Sequence, residues 1–313
     1  MDIKNIHYLF ALEEVGNVSV AASRLYISQP SLSQFLKKYE EYLGYPIFIR
    51  TKEGLKVTGE GKTFLNTARQ IVQLEQDMRN QLADTSGLME GTVTFAVSSQ
   101  RATNVLPLIL PQFSEKYPKV VVNVKEGRTK ELELELQRGE FNLALLVPPL
   151  TSPDIPFEEI IQEEILLAVP RSFPIAERVH RDGEHLPWLN LAELTDEPFL
   201  LLDIKNRLCD LTNELFAQHH FRPEHKKIFQ NVTLNAKLAS RGMGITFLPE
   251  CFIDPVYDLD YYAIGQEGVY RSLALGYAPY SYRSHAVQAF AEELKQSMIR
   301  QQKERRVMIM NHV

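Results

Sequence analysis

Cysteine is scarce: the 313 residues include two, Cys209 and Cys251. Two cysteines far apart make neither a disulfide framework nor a zinc-ligand spacing, so both read as reduced, buried thiols. No apolar run approaches the ~18 residues of a membrane-spanning helix. The opening MDIKNIHYLF has no basic stretch leading into a long apolar core, so a secretory signal is not expected and a cytoplasmic location is. Positive charge is not in excess either. Lys and Arg number 34 against 40 Asp and Glu, a net charge of -6, which argues against nonspecific coating of nucleic acid but not against a local binding face. Catalytic signatures are missing: there is no P-loop, HExxH, GxSxG or CxxC. His219-His220 reads as a surface pair at a helix end rather than a metal site, and Asp258 and Asp260, beside Tyr261-Tyr262, as a solvated loop. No catalytic residue, metal or cofactor is therefore expected.

What the chain does have is an ordinary globular composition, 44% hydrophobic and 24% charged, at a length that calls for two or three domains. Residues 1–60 carry seven basic and seven acidic residues, so the net negative charge lies entirely beyond them. Residues 3–15 place Ile3, Ile6, Leu9, Phe10, Leu12 and Val15 at helical spacing, and Gly16-Asn17 ends that helix. Ser19 to Lys37, SVAASRLYISQPSLSQFLK, then reads as two short helices joined by a tight turn. Ala21, Ala22, Leu25, Ile27, Leu32 and Phe35 form the inward face, the two alanines giving steeply crossing helices a contact without bulk. Ser28 suits an N-cap and Pro30 a first turn. Ser28, Gln29, Pro30, Ser31, Ser33, Gln34 and Lys37 fall on the outer side. Amides and hydroxyls there can bond base edges, and the lysine a phosphate or guanine.

Tyr45–Thr58 reads as two extended runs around a turn at Glu53-Gly54, a wing that carries Arg50, Lys52 and Lys56 toward phosphate or a minor groove. Gly61 to Thr85 contains no further glycine and no proline. Phe64, Ala68, Ile71, Leu74, Met78 and Leu82 stripe one face of a helix of about 25 residues, roughly 37 Å long. A second copy of the chain is the natural cover for that stripe.

Residues 1–61 resemble the DNA-binding domain of LysR-type transcriptional regulators. The resemblance rests on Ser19, Ala21-Ala22, Leu25, the run Ser28-Gln29-Pro30-Ser31-Leu32-Ser33, Leu43-Gly44, Ile47-Phe48, Arg50, Val57-Thr58 and Gly61. One departure is Glu53, where the family pattern has a second wing arginine, so Lys52 or Lys56 would have to take over its contact.

The remaining two-thirds alternates strands with helices. Strands are expected at 91–97, 120–124, 141–147, 165–170, 199–203, 227–229, 244–249 and 272–277, with a closing helix from Ser284 to about Arg300. Such alternation makes an open α/β sheet, whose ligands bind at strand carboxyl ends against helix amino termini. The fold class is thus α/β: an N-terminal winged helix-turn-helix, a long linker helix, and a C-terminal two-lobed, periplasmic-binding-protein-like effector domain. The LysR resemblance extends here, with GMGITFLP matching the second lobe. The divisions are 1–60 for DNA binding, 61–86 for the linker helix and 87–90 for a hinge. Beyond them come 91–162 with 268–303 for lobe I, 163–267 for lobe II, and 304–313 for a tail.

For the cleft, Ser98, Ser99, Gln100 and Thr103 follow the first strand, Thr129 opens the next helix, and Thr233 caps a helix in the other lobe. Arg101 and Arg128, in the same loops, can add bidentate pairing to an anion. The resemblance implies effector contacts at these segments. The expected function is a LysR-type regulator sensing a small anionic metabolite. Its partners would be double-stranded DNA, the effector, a homodimer or homotetramer mate and RNA polymerase, and no membrane. The alternative is a clamp-fold enzyme or small-molecule binding protein with no DNA role.

Overall fold

The computed structural model describes residues 3–87, 89–181, 186–203, 207–279 and 281–312. Of the expected divisions, Leu88 of the hinge lies outside the described residues. So do Met1 and Asp2, 182–185, 204–206, Tyr280 and Val313. The chain forms two compact units, one built on the first 79 residues and also taking in 138–140, the other on the rest.

In the first unit, α1 (Ile3–Val15), α2 (Val18–Arg24) and α3 (Gln29–Leu43) precede a hairpin of β1 (Phe48–Thr51) and β2 (Gly54–Val57). Leu9, Leu12, Ala21, Ala22, Leu32, Ile47 and Leu65 form their core. Asn17, read as a helix end, in fact starts α2: its side-chain oxygen accepts from the backbone N–H of Ser19 at 2.9 Å and of Val20 at 3.2 Å. Ser28 caps α3 as expected, accepting from Ser31 N, and Gly44 ends α3 in the left-handed conformation. The hairpin turn is Lys52-Glu53, one residue earlier than expected, because Thr51 pairs with Gly54. Gly54 has φ +120°, and a Cβ there would lie 2.6 Å from the Gly16 carbonyl oxygen. That same oxygen accepts from Leu55 N at 2.7 Å, so the wing is tied to the end of α1.

The long helix, α4 (Gly59–Thr85), divides its apolar stripe. Leu65 and Ala68 are buried within the first unit, whereas Leu74, Met78 and Leu82 are 61%, 52% and 61% exposed. Its last turns, expected as part of a separate linker helix, belong to the second unit. Asn80 exchanges hydrogen bonds with the backbone of Thr92 (2.9 and 3.1 Å). Asp84 accepts from Tyr282 Oη at 3.1 Å and from His285 N at 2.9 Å.

The second unit runs β3 (Gly91–Ser98), α5 (Ser99–Lys116), β4 (Val120–Gly127), α6 (Thr129–Gln137), β5 (Leu143–Leu146), β6 (Phe157–Pro170), β7 (Trp188–Leu189), β8 (Pro198–Leu202), α7 (Arg207–Gln218), β9 (His225–Phe229), α8 (Val232–Ala239), β10 (Ile245–Pro249), β11 (Leu259–Ile264), β12 (Val269–Tyr277) and α9 (His285–His312). The sheet order is β4-β3-β5-β12-β6-β10-β8-β9, with β11 also on β6. Parallel pairs β3–β4, β3–β5, β8–β9 and β8–β10 build the lobes. The antiparallel β6–β12 ribbon crosses between them. β6 starts at Phe157, not at Ile165. Its first half is the crossover and carries polar residues, so it has no continuous apolar run to betray it. Three cores result, one around Phe95, Phe113 and Phe290, a second around Leu167, Phe199 and Phe247, and a smaller one around Leu132, Leu136 and Phe141.

Two expectations fail at the end of the chain. The closing helix does not stop near Arg300, and 304–313 is not a tail: α9 continues to His312, with Ile309 buried in the second core. Nor are Asp260, Tyr261 and Tyr262 a loop. They lie on β11, with Asp258 and Asp260 beside Arg171 at 3.5 and 3.0 Å. No helix among the described residues is long and apolar enough to cross a membrane.

Candidate functional site

The outer face of α3 is polar because Leu32 and Leu36 turn inward and are buried. Ser28, Gln29, Pro30, Ser31, Gln34 and Lys37 are exposed and Ser33 is half-buried, so one surface gathers the whole expected set. Part of it is internally paired: Ser28 Oγ lies 2.7 Å from Ser31 Oγ, and Gln29 Nε2 donates to Ser33 Oγ at 3.2 Å. Lys37 Nζ is 3.9 Å from Glu41, a weak exposed pair that leaves the ammonium available. On the wing, Arg50 and Lys52 are exposed, while Lys56 pairs with Glu53 at 2.5 Å. The sequence reading missed Tyr26, which sits in the turn before α3 at φ 55° with 95% of its surface exposed. Nothing in its sequence context distinguishes it from a core tyrosine.

In the second unit a cavity of about 260 Å³ opens where β3, β4 and β8 end and α5, α6, α7 and α8 begin. Ser98, Ser99, Gln100, Arg101, Arg128 and Thr129 line it. Ser98 precedes α5, yet its hydroxyl makes no capping bond. Gln100 Nε2 donates to Gln230 O at 2.6 Å, bridging the lobes. Thr103 is not among the lining residues; its hydroxyl donates to Gln100 O at 3.0 Å within α5. Thr233 does not cap α8 and does not line the cavity either. Asn231 holds the cap, accepting from Leu234 N at 2.9 Å, because an amide oxygen two residues ahead reaches the free N–H groups first.

Arg101, expected on a loop, lies on α5, buried and committed to a carboxylate. Its Nη1 and Nη2 donate to Glu163 at 3.1 and 2.6 Å, and Arg271 Nε donates to the same carboxylate at 2.6 Å. Burial drives the Glu163 carboxyl upward, but the two guanidiniums outweigh it and hold the group down at about 2. Cys251, whose sulfur accepts from Arg101 at 3.2 Å, is pushed by burial up to about 12 and stays a thiol. Arg271, Arg207, Asp203 and Gln230 also line the cavity and were not anticipated. Asp203 follows the FLLL strand, a strand-end signal that was legible; Arg271 sits mid-strand, where no sequence signal marks it.

Among the described residues no group of three or more His, Cys, Asp and Glu is placed to hold a metal ion. The geometry is therefore a polar helix face on one unit and a small, arginine-rich cleft on the other.

Comparisons with known proteins agree. Residues 3–62 match the model of bacterial regulatory helix-turn-helix proteins, lysR family, and residues 86–299 match the LysR substrate binding domain. Similar chains include the Hca operon transcriptional activator HcaR of Escherichia coli (27% identity, 80% of this chain, 82% of that one). Another is the uncharacterized HTH-type transcriptional regulator YcgK of Bacillus subtilis (26%, 95% of each). Among solved structures, a full-length OxyR variant from Pseudomonas aeruginosa matches with TM-score 0.70 at 20% identity, over 95% of this chain and 94% of that one. CbnR, a LysR family transcriptional regulator, matches with TM-score 0.66 at 22%, over 95% and 99%.

Proposed function

The chain belongs to the LysR family of DNA-binding transcriptional regulators, and we propose that it reads its operator with the outer face of α3 and senses a small anionic metabolite in the cleft. The observation that carries the DNA assignment is the exposed row Ser28, Gln29, Ser31, Gln34 and Lys37 on a helix whose other side is buried. Gln34 supplies a bidentate contact to adenine, and Lys37, Arg50 and Lys52 supply phosphate contacts. The exposed Leu74, Met78 and Leu82 pair with a second copy, setting two recognition helices at a fixed spacing on the duplex. CbnR, also solved in complex with its target DNA, offers the analogy for this docking.

The cleft couples to the DNA through linkage. A ligand with different affinities for two arrangements of the lobes shifts their populations and with them the spacing of the paired helices. Hydroxyls of Ser98, Ser99 and Thr129 at helix amino termini, with Arg128 beside them, suit a carboxylate. No cofactor is needed for this, and the site of action is the cytoplasm, where the operator is. Gel shifts on the DNA upstream of the protein's own gene test the reading. Retardation of that fragment over a shuffled one is expected, and equal affinity for both overturns it. A carboxylate at 100 times its Kd adds about 2.7 kcal/mol of stability, which a thermal-shift screen detects.

A further inference from the structure

We propose that the cleft ligand is a small dianion, one acidic group held at the lobe I helix termini and the other by Arg207 on lobe II, which Glu133 holds in position. The proposal rests on the effector reading above and deepens it.

Among the described residues four arginines line the cavity, Arg101, Arg128, Arg207 and Arg271, against one acidic residue, Asp203. Two of them, Arg101 and Arg271, share the wholly buried Glu163, so the floor keeps one positive charge in excess. Arg128, at the mouth of α6, is exposed and makes no ion pair among the described residues. Arg207 opens α7 on the opposite lobe and gives Nη2 to Glu133 Oε1 at 2.7 Å. Glu133 sits on α6 with no exposed surface. Its other oxygen accepts from Thr151 N at 2.8 Å and Thr151 Oγ1 at 2.6 Å, so its position is set independently of Arg207. Nε of Arg207 is buried and meets no acceptor among the described residues. A buried, charged N–H left in that condition is costly, and an anionic oxygen in the cavity satisfies it.

Among the described residues, side chains leave the cleft with a net charge of one positive unit after Asp203, Glu133 and Glu163 are set against the four arginines. The amino termini of α5, α6, α7 and α8 also face the cavity. Each adds roughly half a positive charge. A monoanion leaves most of that field uncompensated; a dianion offsets the larger part of it and spans both lobes. The cavity of about 260 Å³ falls below the size of drug-like sites, which limits the ligand to a short chain.

The test is calorimetry on the full-length protein with butyrate, succinate, glutarate, adipate and inorganic phosphate. At least one dicarboxylate is expected to bind about tenfold or more tightly than butyrate. Arg207→Met should lower dicarboxylate affinity by more than butyrate affinity and so remove that preference, and Arg207→Lys should restore part of it. Glu133→Gln should lower the dicarboxylate-to-butyrate ratio, a quantity that general loss of stability does not move. Equal binding of mono- and dicarboxylates, tighter binding of phosphate than of every dicarboxylate, or a full preference kept by Arg207→Met overturns the proposal. So does a wild-type protein that binds operator DNA but no dicarboxylate. Butyrate binding without dicarboxylate preference leaves the anionic-effector reading standing, so the two failures are distinguishable.

Discussion

Phe290 and Ile309 stand on one helix, α9, but are buried in different hydrophobic cores, Phe290 with lobe I and Ile309 with lobe II. Between them Gln302 donates to Gln162 O at 2.6 Å and Arg306 to the same oxygen at 3.3 Å, on the crossover strand β6. The last turns of α9 therefore tie the lobes together beside the ribbon that joins them. Ile309→Ala should cost about 2 kcal/mol, the lower end for emptying a buried isoleucine site. Urea unfolding of the full chain measures it, and a change within error would show that the last turns are not packed.

Stability should fall as pH rises from about 4.5 to 7. Burial, helped by neighbouring Glu250, pushes the Glu164 carboxyl up to about 7 against Arg306 and a hydrogen bond from Tyr270. The folded state then binds the proton more tightly than the unfolded chain across that window, so each step upward in pH favours unfolding until the folded value is passed. Burial raises Glu250 as well, with the same sign. Glu164→Gln should raise the melting temperature at pH 8 by about 2 °C or more and change it little at pH 4. A gain of equal size at both values would assign the effect to packing instead.

On DNA, Gln34→Ala should weaken operator binding by about 1–3 kcal/mol and erase discrimination at one base pair. Lys37→Ala should weaken all sequences alike and reduce the salt slope by about 0.9. Gel shifts on operator and shuffled duplexes at several salt concentrations separate the two behaviours.

The wing carries its own opposing charge, since Glu53 holds Lys56 at 2.5 Å. Glu53→Ala should release Lys56 to a phosphate, tightening DNA binding and steepening the salt slope by about 0.9. An unchanged slope would place Lys56 away from the backbone.

Leu74→Asp with Met78→Asp puts two charges on the exposed part of the α4 stripe. Light scattering should report a monomer where the unaltered chain is a dimer or larger, with the first unit's core intact because Leu65 and Ala68 are untouched.

The helices and wing of the first unit were legible in outline, because their signals are local: the Ser28 cap, the small Ala21-Ala22 contact, and a polar face set by the 3.6-residue period of α3. Strands β3 and β10 were legible for the same reason, as short apolar runs bounded by turn residues. The crossover half of β6 was not, because its ladder partner β12 lies more than a hundred residues away and its residues, FEEIIQEE, neither alternate polar with apolar nor form an apolar run. The end of α9 was missed because Lys303, Glu304, Arg305 and Arg306 look like a solvated tail, and only the presence of Gln162 and Glu250 gives Arg305 and Arg306 partners.

By itself, then, the sequence determined most of the elements, the exposed polar row of α3 and the helix termini that line the cavity, since each depends on neighbours within a few residues. Tertiary structure decided which charges are available: it sealed Arg101 against Glu163, brought Arg207 across to Glu133, and put Asn231 rather than Thr233 at the cap. A guanidinium's availability depends on the carboxylates that folding brings within reach, and those come from strands and helices distant in the chain.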